Sequence, residues 1–299
     1  MTELRHRISF LALAAGAGLV ASLPLRVAVA IGELAGLAFG RLAGTKRLMA
    51  ERHAVRAGVE SPDLPGHLDR MFKAYGRYWA EALWMRPKNR TKVDDGISHE
   101  GVEHVERPRD AGTGMIYVLP HLGNWEFAGA LAESLEVRVV AVAENLANTR
   151  IRDWFIGLRK GLGIDVVLAT GSRQVMRDLE AAIADNAAVA LLSDRDLKGR
   201  GVEVEFFGER TTLPAGAATL AMRTGAPILP VASYFRPDGG HHIVIRPPIP
   251  VERHPEDRSA EVARVTGEIA GELEVLIRRA PEQWHLLQPN WPSDREGET

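Results

Sequence analysis

The chain has 299 residues, 45% of them hydrophobic and 25% charged, which is the composition of a globular protein with one large or two small domains. It contains no cysteine, so disulfides and thiolate chemistry are excluded, and a net charge of −2 gives no support to nucleic-acid binding.

Charge is not spread evenly. Residues 1–59 carry eight Lys/Arg, from Arg5 to Arg56, against three acids, Glu3, Glu33 and Glu51. The same stretch is the most apolar in the chain. Ile8 to Leu23 is nearly uncharged, Pro24 interrupts it, and Leu25 to Leu42 is again apolar apart from Arg26 and Glu33. A spanning helix needs about 20 apolar residues, and neither half reaches that cleanly. The pattern predicts two short helices lying on or dipping into a membrane surface, with Arg5, Arg7, Arg26, Arg41, Lys46 and Arg47 near lipid phosphates. A buried helical hairpin and a cleaved signal sequence are the alternatives.

Pro62 to Met85 reads as an amphipathic helix, because Leu68, Met71, Phe72, Tyr75, Trp79, Ala82 and Leu83 recur at steps of three and four. Arg86 to Asp95 is a polar connection. Short apolar runs and helical segments then alternate. Strands are predicted at Met115–Leu119, Val137–Ala143, Asp165–Leu168, Ala187–Leu192, Val202–Phe206, Ile228–Phe235 and His242–Arg246. Helices are predicted at Trp125–Ser134, Arg150–Leu162, Arg173–Asp185, Pro214–Arg223 and Ser259–Arg279. This alternation argues for an α/β fold, a mostly parallel central sheet flanked by helices, with the N-terminal helical hairpin added to it. The expected division is residues 1–60 as membrane-associating helices, 61–292 as one α/β domain and 293–299 as a polar tail.

Chemistry points to Tyr117-Val-Leu-Pro-His121-Leu-Gly-Asn-Trp-Glu126. His121 follows a buried strand, at the edge where open α/β sheets place their reactive groups. Gly123 permits a tight turn, and Asn124 is a good N-cap for the next helix. Glu126 in its first turn has a carboxylate that could come back to the His121 ring. A histidine near neutral pH can take a proton from a hydroxyl, and a carboxylate can fix its tautomer. Taken singly, a loop histidine and an ordinary helix-start acid also explain these residues. Ser193-Asp194-Arg195-Asp196 follows another strand and should lie on the same edge; a surface charge cluster is its plainer reading. His99, His104, His241 and His242 lack a metal-ligand spacing, so no metal is expected. Gly-x-Ser-x-Gly, the Walker phosphate loop and Gly-x-Gly-x-x-Gly are absent from the sequence, which removes support for serine hydrolysis, nucleotide hydrolysis and dinucleotide chemistry.

His121-Leu-Gly-Asn-Trp-Glu126 resembles the His-x4-Asp/Glu signature of the lysophospholipid-type acyltransferases, in the branch of the bacterial lipid A acyltransferases. Ser193-Asp-Arg-Asp196, Gly201-Val-Glu-Val-Glu-Phe-Phe-Gly208, Pro214-Ala-Gly216 and Thr224-Gly-Ala-Pro-Ile-Leu-Pro230 follow in that branch's order, so the resemblance covers nearly the whole chain. Within the branch the wording is closest to actinobacterial enzymes that acylate phosphatidylinositol mannosides. The resemblance implies transfer of a fatty acyl group, commonly palmitoyl, from acyl-CoA as co-substrate to a mannose 6-hydroxyl of mannosylated phosphatidylinositol. No cofactor is implied. It also implies a peripheral or monotopic protein on the cytoplasmic face of the cell inner membrane. Carried over by position, His121 is the general base, Glu126 its carboxylate partner, and Glu144, Arg159, Asp194, Arg195 and Asp196 the polar residues around acceptor and thioester. The competing readings are another glycolipid acceptor, an acyl-CoA thioesterase and a lipid-binding scaffold without catalysis.

Overall fold

The computed structural model describes residues 2–86, 89, 96–196, 199–253 and 255–295. Its centre is a seven-stranded sheet formed by β1 (Ile97–Glu100), β2 (Met115–Leu119), β3 (Val139–Ala143), β4 (Ile164–Leu168), β5 (Ala188–Leu192), β8 (Ile228–Phe235) and β9 (His241–Ile245), in the order β1-β9-β8-β2-β5-β3-β4. Every pairing is parallel except β8 with β9. β6 (Val202–Phe206) and β7 (Glu209–Leu213) form a separate antiparallel hairpin.

Buried parallel strands feed two cores at once, because successive side chains point to opposite faces. Ile116 and Val118 of β2 enter one core, and Met115, Tyr117 and Leu119 enter the other. The first core includes residues of α8 (Arg173–Ala184), α9 (Gly216–Thr224) and the long α10 (Arg258–Arg278). The second includes residues of α5 (Glu103–Ala111) and α6 (Glu126–Ser134). Between β3 and β4 runs α7 (Thr149–Lys160), whose N-terminus is capped by the Asn148 side chain.

The apolar N-terminal stretch forms α1 (Thr2–Ser22) and α2 (Leu25–Leu42), broken at Pro24 as the sequence suggests. They are followed by α3 (Gly44–Arg56) and α4 (Leu64–Trp84). α2 seats against α4 through Gly32, Gly36 and Gly40, one ridge of an i, i+4 row; a Cβ on Gly36 would stand 2.1 Å from the Phe72 carbonyl oxygen. The Trp84 indole donates to the Leu23 carbonyl at 2.9 Å and fixes the α1–α2 joint to the same helix. α1 departs from the expectation of two short segments: Glu3–Ser22 is long and apolar enough to cross a membrane, with only 11% of it buried. Leu4, Ile8, Leu11 and Leu19 of α1 are exposed, as are Val27, Ile31, Leu34 and Phe39 of α2. So α2 is partly the packed helix of the alternative reading, and still presents an apolar outer face.

Several elements had no periodic signal. β1 is a short, polar edge strand, where burial imposes no pattern. β7 closes its hairpin through Phe207 and Gly208, both at positive φ (53° and 74°), in the manner of a two-residue primed turn. Arg278 covers the Phe207 ring, and the Phe207 N–H is bound by Glu274 at 2.5 Å, which holds this unusual turn residue in place. Apart from Arg86 and Asn89, the expected polar connection 86–95 lies outside the described residues. The polar tail expected from Ser293 is anchored at its start: Asp294 is 1% exposed and accepts from Arg56 and the backbone of Asn290 and Trp291. Residues 296–299 lie outside those described.

Candidate active site

The register of two neighbouring strands builds the site. Leu119 of β2 pairs with Leu192 of β5, and the ladder runs one step further, from the Ser193 N–H to the Leu119 carbonyl at 2.9 Å. His121 and Asp194 each lie two residues past that last pair, at the carboxyl edge of the sheet. His121 Nδ1 meets Asp194 Oδ1 at 2.6 Å, and the other carboxylate oxygen accepts from the His121 N–H and the Trp284 indole, each at 2.9 Å. Asp194 is fully buried. Burial works against its charge, but the attraction of the adjacent His121 imidazole, the bonds from that ring and from Trp284, and the His121 N–H hold the carboxyl below its ordinary value.

A carboxylate facing Nδ1 selects the tautomer with hydrogen on that nitrogen and leaves a lone pair on Nε2. Nε2 has no hydrogen-bond partner among the described residues. The side chain is 18% exposed, and Trp125 stands edge-on to it with ring centroids 5.6 Å apart. The arrangement leaves an oriented, accessible ring nitrogen that is able to accept a proton.

Glu126 is not the carboxylate that orients His121. Its side chain turns to Arg159 at the end of α7, which donates to Oε1 from Nη2 at 2.7 Å and from Nε at 3.1 Å. The adjacent Glu126 charge raises the Arg159 pKa above its ordinary value against the cost of burial. The local sequence explains the turn: Trp125, not Asn124 as expected, is the N-cap of α6, and Asn124 one residue earlier accepts from the Glu126 N–H at 3.2 Å, so that the first helical turn directs Glu126 toward α7. Glu126, Arg159 and Trp125 line an apolar cavity of about 530 Å³, counting the part open to solvent, together with Leu119, Val139, Ala141, Ile164, Ala190 and Leu192 of the sheet.

The remaining residues singled out from the sequence divide. Arg195 is half-buried beside Asp194 and has no ion-pair partner among the described residues. Asp196 folds its own loop, accepting from the Gly201 N–H at 2.6 Å and the Thr212 hydroxyl at 3.0 Å. Glu144 follows β3 on the same sheet edge, but its side chain is exposed and touches none of the others. Among the described residues no group of histidines and acids could hold a metal ion.

Sequence reasoning missed the strap that backs the His121 loop. Gly123 donates to the Gln283 carbonyl at 2.9 Å, and His285 donates its N–H to the His121 carbonyl at 2.7 Å. Gly123 has φ +59°, and a Cβ there would collide with the Ser233 carbonyl oxygen at 1.7 Å, so only glycine fits. Asn290 adds a bond from Nδ2 to the Asp194 carbonyl at 3.0 Å. The signal available was the aromatic and polar run from Trp284 to Trp291 just past the last long helix.

Relatives match along most of the chain. It is 32% identical over 297 residues to a phosphatidylinositol mannoside acyltransferase of Mycolicibacterium smegmatis, an alignment covering 98% of this chain and 94% of that one. It is 34% identical over 225 residues to a phosphatidylinositol mannoside acyltransferase of Mycobacterium tuberculosis, covering 74% and 69%. The pattern described as bacterial lipid A biosynthesis acyltransferase matches residues 1–293, and the chain therefore belongs to that family of acyltransferase enzymes.

Proposed function

We propose that the protein moves a fatty acyl group, palmitoyl in the first instance, from acyl-CoA to a mannose 6-hydroxyl of a phosphatidylinositol mannoside at the cytoplasmic face of the inner membrane. The observation that carries this reading is the 2.6 Å contact of His121 Nδ1 with the buried Asp194 carboxylate, beside an apolar cavity. The two relatives support the choice of acceptor.

In this reading His121 Nε2 takes the proton of the mannose hydroxyl while its oxygen attacks the thioester carbonyl carbon. The C–S bond then breaks, and the imidazolium returns the proton to the sulfur, so that coenzyme A leaves as the thiol. No covalent enzyme intermediate is needed. Asp194 keeps the ring oriented and stabilises it while charged. General-base catalysis of this kind contributes about 10²–10⁴-fold. Glu126 and Arg159, paired in the cavity lining, shape the entrance that the acyl chain passes, and the chain lies along the sheet wall. Arg195 is the cation assigned to a phosphate of donor or acceptor. The exposed apolar faces of α1 and α2, with the basic residues among them, supply contact with the bilayer.

Thiol release from palmitoyl-CoA, with and without mannosylated phosphatidylinositol in mixed micelles, tests this. Release that depends on the acceptor, with the acyl group recovered on mannose, is expected. Release without acceptor would instead identify a thioesterase, and none at all would leave a lipid-binding scaffold. A panel of other glycolipids in the same assay separates the mannoside from another acceptor.

A further inference from the structure

Behind the His121 loop lies a buried polar cluster that the reaction above leaves unused. Glu81, on α4, is 1% exposed. Arg77 Nε donates to its Oε1 at 2.7 Å, Asn124 Nδ2 donates to Oε2 at 3.0 Å, and His241 Nε2 stands 3.2 Å from that same oxygen. Arg77 also covers the Phe235 ring and donates to the Gly239 carbonyl at 2.8 Å, and His241 stacks on Phe127. Burial opposes the Glu81 charge, while His241, Arg77 and Asn124 hold the carboxyl below its ordinary range. For stability alone an apolar contact between α4 and the sheet would serve as well as a buried ion cluster.

What the cluster holds is the reaction loop. Asn124 is fully buried and uses both ends of its amide: Nδ2 goes to Glu81, and Oδ1 accepts from the Glu126 N–H. It sits three residues after His121 and two before Glu126. On its other side α4 is seated on α2 at backbone contact, where Gly36 meets Phe72 and Gly76. We propose that Glu81 is a positioning residue: through Asn124 it sets the loop that carries His121 and the first turn that carries Glu126, and so ties the reaction centre to the N-terminal helices. A carboxylate is required because three donors converge on it, and a glutamine would turn its own N–H₂ toward one of them.

The inference rests on His121 as the base, and the experiment separates the two. Purified full-length protein is assayed for thiol release from palmitoyl-CoA, with acceptor, alongside thermal melting. Glu81→Gln is expected to lower kcat on the order of 10²-fold with KM for palmitoyl-CoA nearly unchanged, as for a loop displaced by about 1 Å. Exchanging the two groups, Glu81→Gln with Asn124→Asp, restores the bond with its direction reversed. The amide introduced on α4 then donates one N–H to the carboxylate introduced in the loop and the other to His241 Nε2, which accepts once the ring carries its hydrogen on Nδ1, and kcat recovers at least about tenfold over the single variant. Full kcat in Glu81→Gln with only a lower melting temperature overturns the proposal, as does a folded double variant no faster than the single one. If Glu81→Gln does not fold, Asn124→Ser takes its place. It keeps a short oxygen for the Glu126 N–H but cannot reach Glu81, and the same loss of kcat is expected, with full kcat again overturning the proposal. His121→Ala is the reference. A folded His121→Ala protein as active as wild type removes the functional reading and this inference with it, whereas an inactive one beside a fully active Glu81→Gln removes the inference alone. Hydrolysis of palmitoyl-CoA without transfer would change the acceptor assignment and leave the Glu81 comparison readable on the same thiol signal.

Discussion

His121 and Asp194 are 73 residues apart in sequence and 2.6 Å apart in space, because each extends two residues beyond the last pair of two adjacent parallel strands. Asp194 receives three donors, the His121 ring, the His121 N–H and the Trp284 indole. An asparagine at this position offers one oxygen to those donors and turns an N–H₂ toward the rest. The ring is then free to adopt the other tautomer, with hydrogen on Nε2 where the lone pair is needed. Asp194→Asn is expected to keep the fold and lose about 10³–10⁴-fold in kcat, the scale seen when a triad carboxylate is changed to its amide. Steady-state kinetics beside a circular dichroism spectrum checks it.

The Glu126–Arg159 pair should behave differently. Its side chains are 10% and 19% exposed, so truncating either one leaves a poorly solvated charge. Glu126→Ala or Arg159→Ala is expected to cost about 2–4 kcal/mol, somewhat below the range for a fully buried pair because solvent reaches part of it. Replacing both by apolar residues, Glu126→Leu with Arg159→Met, should cost much less than the sum. Urea denaturation of the wild type, Glu126→Leu, Arg159→Met and the double variant closes the cycle and measures the coupling. Turnover should persist in the double variant at a level well above Asp194→Asn, because the oriented base is intact.

Acid should destabilise the fold early. Burial, with the His121 charge adding, pushes His285 down from 6.5 to about 3. Between those values the unfolded chain binds a proton that the folded chain does not. Stability from this residue is therefore fully present above 6.5 and declines as pH falls, at up to about 1.4 kcal/mol per pH unit. The lowered carboxyls of Asp194 and Glu81 act in the same direction but only below the ordinary carboxylate range. Thermal melts from about pH 8 to about pH 4 should show a decline in melting temperature that begins near 6.5. His285→Phe, placed among Tyr75, Tyr78 and Phe235, should flatten that part of the curve.

The outer face of α1 gives a test of membrane contact. Ile8 and Leu11 are 58% and 54% exposed, so charging them disturbs no core. Ile8→Asp with Leu11→Asp is expected to weaken sedimentation with anionic phospholipid vesicles by roughly tenfold or more, given several kcal/mol per charge placed in hydrocarbon. The melting temperature should change little. Sedimentation equal to wild type would move the contact elsewhere.

Much of the α/β framework was legible because buried parallel strands and amphipathic helices carry their periods in the sequence. Met115–Leu119 and Ile228–Phe235 stand where their apolar runs begin and end, Val202–Phe206 where its alternation does, and the long terminal helix differs by one residue at each end. β1 and β7 were not legible, since an edge strand and a polar hairpin strand bury too little on one face to show a period of two. α3 was missed for a related reason: its buried face is made of Met49, Ala50, His53 and Ala54, and His53 is held by Leu286 and Asp294 from the other end of the chain.

The sequence by itself determined that His121, Asp194 and Glu126 lie together at the carboxyl edge of the sheet, the edge to which the proposed reaction assigns its base. It could not decide which carboxylate faces the ring. Five residues of separation made Glu126 the natural choice, because short separations are all that a linear pattern can see. Tertiary structure reversed it. Parallel register carries Asp194 beside His121, while the turn at Asn124 and the helix that follows direct Glu126 away to Arg159. The same holds for Glu81, whose role depends on a helix packed from 43 residues upstream of Asn124. Periodicity reports which face of an element is buried; only strand pairing and helix packing decide which buried polar groups meet.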